Sequence, residues 1–284
     1  MRLGVNLLCL TDRVGTEHDR PLARIGEIGW DGVEVPILSG APDDYAALGR
    51  RLDALRLART ATAIVPSPDA DPTSADPAVR ARGVAHLGWA LDCALALGAE
   101  SLGGPFHAPL GHFTGRGPTE DELARGAEAH RALAERAGAA GATLSLEPLN
   151  RFETHFLNTA EQARAYAERV DHPAFLIMFD TFHANIEERD PVGAPATLAG
   201  RLGVFHASEN DRGIPGRGHV DFVGTFRTLK RVGFDGWIAM EAFGSGLPDI
   251  AAATRVWRPL FPHHETLFAE GHAALRRAWE EARP

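Results

Sequence analysis

The sequence predicts an α/β chain folded as a single-domain (β/α)8 TIM barrel, and three observations carry that expectation. Eight short apolar runs alternate with eight stretches of 3.6-residue periodicity from one end of the chain to the other. The length of 284 residues suits one such barrel, which needs roughly 250. No composition shift, Ser/Gly linker, charge block or internal repeat beyond the alternation divides the chain, so one domain over residues 1–284 is expected.

The apolar runs, in order, are Leu3 to Leu8, Gly32 to Ile37, Thr60 to Val65, Ser101 to Phe106, Thr143 to Leu146, Phe175 to Phe179, Gly203 to Phe205 and Gly236 to Met240. Bounded by Gly, Pro or charged residues and rich in β-branched or aromatic side chains, they read as parallel strands covered on both faces. The helical stretches between them are Pro21 to Ile28, Asp43 to Leu57, Ala78 to Leu97, Glu120 to Ala140, Ala160 to Val170, Val192 to Ala199 and Phe222 to Val232. An eighth, Ile250 to Trp279, is broken at Pro259 and Pro262 and extends the chain as a C-terminal helical segment. Gly98, Gly141, Gly200 and Gly233 follow four of these stretches, where a left-handed C-cap belongs. Thr119 with Glu122 and Thr159 with Gln162 have capping-box spacing, and Asp221 stands as an N-cap.

Composition excludes several classes of function. With 38 acidic against 29 basic residues the net charge is −9, which repels a phosphate backbone, so no nucleic-acid partner is expected. Lys230, the one lysine, lies in an amphipathic stretch, which leaves Schiff-base chemistry without a nucleophile. Cys9 and Cys93 sit in separate apolar stretches and read as two buried free thiols in a reducing, cytoplasmic setting. The apolar N-terminal run is too short for a secretory signal, and no run approaches the ~20 residues of a membrane span.

Four of the strand-like runs end in metal-ligand side chains: Glu147, Asp180, His206 and Glu241. Closing the barrel would bring the four to one mouth, as a divalent-metal site with carboxylates free to move protons. One such carboxylate usually caps the next helix or pairs with an arginine; four in succession point to a ligand set. Three carboxylates and one imidazole fall between the oxygen preference of Mg²⁺ and that of Mn²⁺, Co²⁺ or Zn²⁺. Glu153, His183 and Arg212 lie just past the ligands in the following βα loops, where substrate-positioning groups belong. His107, His155 and His219 near the same mouth read as solvent-facing or hydrogen-bonding histidines. The segment Arg212-Gly213-Ile214-Pro215-Gly216-Arg217-Gly218-His219 reads either as a lid or as a cradle for a phosphate.

The motifs Leu146 to Glu153, Phe179 to Glu188, Phe205 to Gly216 and Met240 to Phe243, with the spacing between them, resemble the ketose 3-epimerases, the D-tagatose and D-psicose (D-allulose) 3-epimerase family with a xylose-isomerase-like barrel. The resemblance covers most of the chain and is specific from about residue 144 to 243. It implies one divalent ion per subunit, Mn²⁺ or Co²⁺ with Mg²⁺ as a further option, on Glu147, Asp180, His206 and Glu241, and no organic cofactor. It makes Glu147 and Glu241 the acid/base pair, and sets Glu153, His183 and Arg212 on the C1 to C3 oxygens of a ketose. Relatives of this kind are commonly homodimers or homotetramers. The first run, Gly4-Val5-Asn6-Leu7-Leu8, lacks the aromatic residues that many relatives place against the far end of the sugar.

The chemistry follows from the residues as well. A hydrogen beside a ketone is too weakly acidic for an unaided carboxylate, and inverting its carbon requires removal on one face and return on the other. A metal and two opposed glutamates meet both needs, through a cis-enediolate of a free, unphosphorylated ketose. An aldose–ketose or hydroxypyruvate-type isomerase would use the same metal site. A metal-dependent abasic-site endonuclease would need more histidines and a basic face, and a catalytically silent sugar-binding barrel would have lost a ligand or an acid/base residue.

Overall fold

The computed structural model describes residues 1–283 and closes eight parallel strands on themselves. They are β1 (Arg2–Asn6), β2 (Gly32–Pro36), β3 (Ala58–Thr62), β4 (Ser101–Gly104), β5 (Thr143–Leu146), β6 (Phe175–Asp180), β7 (Leu202–Ser208) and β8 (Trp237–Glu241). Each pairs with its sequence neighbour, and β8 returns to β1 through pairs such as Val5 with Met240. The outer helices are α1 (Asp19–Ile28), α2 (Pro42–Ala54), α3 (Pro77–Leu97), α4 (Glu120–Ala139), α5 (Ala160–Val170), α6 (Thr181–Glu187), α7 (Phe222–Arg231), α8 (Pro248–Thr254) and α9 (His264–Glu281). The expected (β/α)8 TIM barrel is therefore the observed one, and of the expected domain only Pro284 lies outside the described residues. No described helix is long and apolar enough to cross a membrane.

The local signals acted as the residue chemistry requires. Both capping boxes form, Thr119 with Glu122 and Thr159 with Gln162, and Asp221 caps α7 through the Gly224 N–H. Gly98, at φ +75°, ends α3 in the left-handed region that costs a side chain free energy, and Gly141, Gly200 and Gly233 turn the chain the same way.

The third strand and the stretch at residues 192–199 differ from expectation. The third strand is Ala58–Thr62 rather than residues 60–65: Ala63 and Val65 are buried, but the ladder with β2 ends at Thr62 and Pro36. Burial and pairing are different quantities, and an apolar run reports the first. The helical stretch at residues 192–199 is a 3-10 segment, Ala194–Leu198, interrupted by Gly193 and Pro195. The helix that follows β6 is instead α6, which begins directly after Asp180 and is too short to show a 3.6-residue period. The C-terminal segment divides as expected, into α8 and α9 with Pro259 and Pro262 in the break between them.

A floor supports the mouth from below. Met178, Val204 and Trp237 are register neighbours two residues before the Asp180 and His206 level, so they point into the barrel and plug it. Arg2 covers the Trp237 ring at 4.3 Å, and the indole N–H donates to Glu100 at 3.2 Å. Outside the barrel α4 buries His130, whose Nε2 lies 3.2 Å from the Phe106 carbonyl and whose Nδ1 lies 2.7 Å from the Tyr166 hydroxyl. The neutral ring, donating to the first and accepting from the second, is fully satisfied.

Burial pushes the His130 pKa down to about 4, against an ordinary value of 6.5. Between those two values the unfolded chain holds the proton and the folded chain does not, so stability falls as pH drops from 6.5 towards 4. His130→Gln should therefore reduce the proton uptake on unfolding at about pH 5 by roughly one, read from the pH slope of denaturant-unfolding free energy. An unchanged slope would show that His130 is not held neutral.

Candidate active site

The strands deliver the four ligands to one end of the barrel. Glu147 is the first residue past β5, Asp180 and Glu241 close β6 and β8, and His206 lies inside β7. Register aligns Asp180 with His206 and Ser208 with Glu241, so their side chains share the inner face. All four ligands are buried, and one donor atom from each lies within 4.8 Å of all the others.

His206 is held from one side and open on the other. Its Nε2 lies 2.7 Å from Glu34 Oε2, and its Nδ1 is buried and makes no hydrogen bond. That Nδ1 is 3.3 Å from Glu241 Oε1 and 3.8 Å from both Glu147 Oε1 and Asp180 Oδ2. A ring nitrogen facing three carboxylates gives one nitrogen and three oxygen donors around one point, so the residues present fit the metal implied by the motifs. Asp180 also does what a strand-end carboxylate ordinarily does. Its Oδ1 accepts the Phe182 N–H at 2.5 Å and the His183 N–H at 3.4 Å to cap α6, while Oδ2 accepts from Ser208 Oγ at 3.0 Å.

The three carboxylates differ electrostatically. Burial, reinforced by the charges of Glu241 and Asp180, raises the Glu147 pKa well above the usual carboxylate range. Burial also raises Glu241, although His206 and Arg212 pull it back. Burial acts on Asp180 too, but there the Arg212 charge and the His206 contact prevail and hold it well below the usual range. Asp180 thus favours its anionic form more strongly than the two glutamates do. A divalent cation among them would favour the anionic forms.

The structure brings Glu153, His183 and Arg212 together beside the ligands, the first two through hydrogen bonds to Asn150. Asn150 Nδ2 donates to Glu153 Oε1 at 2.8 Å, and the Asn150 backbone N–H donates to His183 Nδ1 at 3.1 Å. His183 Nε2 then stands 3.6 Å from Glu147 and 3.1 Å from Arg212 Nη2. Burial and the Arg212 charge lower His183 to about 4, so it is neutral. Arg212 Nη1 donates to Asp180 at 3.1 Å and to Glu241. Its guanidinium lies between the rings of Phe182 and Phe243, at 3.8 and 5.0 Å.

Arg212 has φ +65°, a backbone region that a residue with a side chain enters at a cost of about 1–3 kcal/mol. Its N–H donates to the Glu209 carbonyl, and its carbonyl accepts the Phe243 N–H, both at 2.9 Å. Glu209, wholly buried, decides the character of the loop that follows. Its carboxylate accepts the backbone N–H groups of Asn210, Gly216 and Val220 at 3.0, 2.9 and 2.9 Å. A Cβ on Gly218 would come within 2.5 Å of that carboxylate, hence the glycine. Within the segment 212–219, the Gly216 N–H is therefore already engaged by a carboxylate belonging to the chain.

His155 and His219 meet the expectation of hydrogen-bonding histidines, the first to the His112 carbonyl and the second to Asn185. His107 departs from it: the ring is buried, neither nitrogen is hydrogen-bonded, and it stacks on Phe156 at 5.4 Å. Sequence reading also passed over Glu34, Asn6 and Glu209. The signal for the first two was a polar residue in the middle of an apolar strand run.

The chain matches the family model of the xylose isomerase-like TIM barrel over residues 22–278. It is 36% identical over 270 residues to the L-ribulose 3-epimerase of Mesorhizobium japonicum, covering 94% of this chain and 90% of that one. It is 34% identical over 279 residues to the ketose 3-epimerase of Arthrobacter globiformis, covering 97% and 96%. A solved structure of L-ribulose 3-epimerase superposes with a TM-score of 0.92 at 34% identity, over 99% of this chain and 95% of that one. The D-psicose 3-epimerase of Clostridium cellulolyticum H10, crystallised with D-tagatose, superposes with a TM-score of 0.90 at 26% identity over the whole of both chains. With the same barrel and a clustered Glu-Asp-His-Glu set, this chain belongs to the xylose isomerase-like TIM barrel family and, within it, to the ketose 3-epimerases, which are isomerases.

Proposed function

We propose that the protein inverts C3 of free ketohexoses or ketopentoses in a metal-dependent epimerisation. The observation that carries this reading is the pair Glu147 and Glu241, two buried glutamates set around one ligand cluster from strands separated by β6 and β7. Glu147, Asp180, His206 and Glu241 would hold a divalent ion, Mn²⁺ or Co²⁺ by donor set with Mg²⁺ less suited, which would supply positive charge for the oxyanion that develops when the C3 proton leaves.

The glutamate facing the C3 hydrogen takes the proton, and the other returns one to the opposite face of the cis-enediolate. Asp180 does not exchange protons, because Arg212, Ser208 and the first turn of α6 all favour its anion. Arg212 and the neutral His183 offer N–H groups to the substrate oxygens, and Glu153 offers a carboxylate to a hydroxyl. Phe182 and Phe243 keep the guanidinium in one plane and exclude water around it. The carboxylate of Glu209 in the loop cradle supports unphosphorylated substrates and the lid reading of residues 212–219. The unpaired, buried Cys9 and Cys93 suit a cytoplasmic setting, and the family resemblance supports a homodimer or homotetramer.

Glu147→Gln and Glu241→Gln should each lower kcat by about 10²–10⁴-fold while leaving part of the Mn²⁺ affinity. Near-native turnover in both would refute the assignment. Chelation should abolish turnover, with Mn²⁺ or Co²⁺ restoring it. In deuterated water the product should carry label at C3 of the ketose; label at C1 or C2 of an aldose–ketose pair would favour the isomerase reading instead. Ketose phosphates should be turned over far less efficiently than the matching free ketoses, and equal kcat/KM would contradict the role given to Glu209.

A further inference from the structure

A polar layer from the first three strands lies behind the ligands, and the chemistry above makes no use of it. Asn6, Glu34 and Thr60 are register neighbours across β1, β2 and β3, and all three are buried. Glu34 lies between Val33 and Val35 in a strand buried along its whole length, where an ionisable side chain persists only if its oxygens are bonded. They are: Oε2 accepts from His206 Nε2 at 2.7 Å and from Asn6 Nδ2 at 2.8 Å, and Oε1 accepts from Thr60 Oγ1 at 3.1 Å. Asn6 Nδ2 also donates to Glu241 Oε1 at 3.1 Å. Its Oδ1 accepts the Leu8 N–H at 2.9 Å, which fixes which way the amide faces.

We propose that Glu34 is a positioning residue for the metal site: by accepting the Nε2–H it fixes the His206 tautomer whose Nδ1 lone pair faces Glu147, Asp180 and Glu241, and through Asn6 it ties Glu241 to the same frame. The inference rests on the metal-dependent reading above. A neutral imidazole has one donor and one acceptor nitrogen, and an ionised carboxylate can only accept, so a carboxylate on Nε2 leaves the lone pair on Nδ1. That is the buried ring nitrogen without a hydrogen bond. A negative charge behind the ring also raises its basicity toward a cation, and losing such a partner typically weakens metal binding by 10–100-fold. None of the Glu34 hydrogen bonds reaches Glu153, His183 or Arg212, so its loss should register in metal affinity rather than in the hold on the sugar.

Two substitutions separate position from charge. In Glu34→Gln the amide oxygen can still accept from His206 and Asn6 while the amide nitrogen turns to the Thr60 hydroxyl, so geometry survives and charge is lost. Glu34→Leu keeps volume and loses both. Mn²⁺ affinity is measured by calorimetry on protein stripped with chelator, with the unfolding midpoint in chelator and the ketose KM at saturating Mn²⁺ beside it. The expected result is a Mn²⁺ Kd raised about 10-fold in E34Q and about 100-fold in E34L, with KM within about threefold of the unsubstituted protein. Mn²⁺ Kd values unchanged within about threefold in E34Q, or a raised KM with unchanged Kd, would overturn the proposal, and E34Q decides it even if E34L fails to fold. Unsubstituted protein that binds Mn²⁺ without epimerising ketoses, with E34Q still weakened, supports the proposal and sinks the functional reading. Unsubstituted protein that binds no Mn²⁺ sinks both.

Discussion

Three carboxylates share one buried end of this barrel, and like charges withdrawn from water cannot be held there without compensation. Most of the polar structure at the mouth answers that constraint. Arg212 is placed against Asp180 and Glu241, in a strained backbone conformation held by hydrogen bonds to Glu209 and Phe243. His206 stands among the same oxygens with Glu34 behind it. The compensation is unequal. Asp180 receives the guanidinium, a serine hydroxyl and a helix N-terminus; Glu241 receives the same guanidinium and hydroxyl with the Asn6 amide, and Glu147 receives much less.

The fold was legible because parallel strands buried on both faces leave uninterrupted apolar runs, and because glycine and capping residues punctuate the helices between them. Gly98, Thr119 and Thr159 behaved as their local chemistry requires, since a cap depends on only three or four neighbouring residues. Where the reading slipped, a non-local condition was involved. Ile64 and Val65 prolong an apolar run beyond the point where β2 can pair, and pairing is a property of two strands rather than one. The helix α6 is short, and its stability comes from the Asp180 cap and from packing, neither of which leaves a period in the sequence.

The ligand set was legible for a related reason: strand ends are easy to find, and polar residues there are conspicuous. Polar residues within the strands carry the opposite impression. Asn6 and Glu34 look like imperfections in apolar runs until the register sets them side by side and the barrel closes His206 and Glu241 onto them from the far half of the chain. Glu209 was similarly hidden. Its neighbours in sequence suggest a solvated turn, and only the returning loop brings the N–H groups of Gly216 and Val220 to its carboxylate.

In the proposed reaction the reacting end and the far end of the sugar would be under different kinds of control. The ligands and the groups beside them sit on strands or on loops fixed to them, and their geometry follows from the barrel. Beside the ends of β1 and β8 lies a cavity of about 400 Å³ walled by Cys9, Leu10, Gly244, Leu247, Phe261 and His263, all from connections rather than strands. Apolar residues and glycines share its walls with His263 and His264, and these come from segments whose lengths the barrel does not constrain. In the proposed reaction the groups that meet C1 to C3 would see the same oxygens in every ketose, so discrimination between sugars that differ beyond C3 would fall to residues outside the ligand cluster.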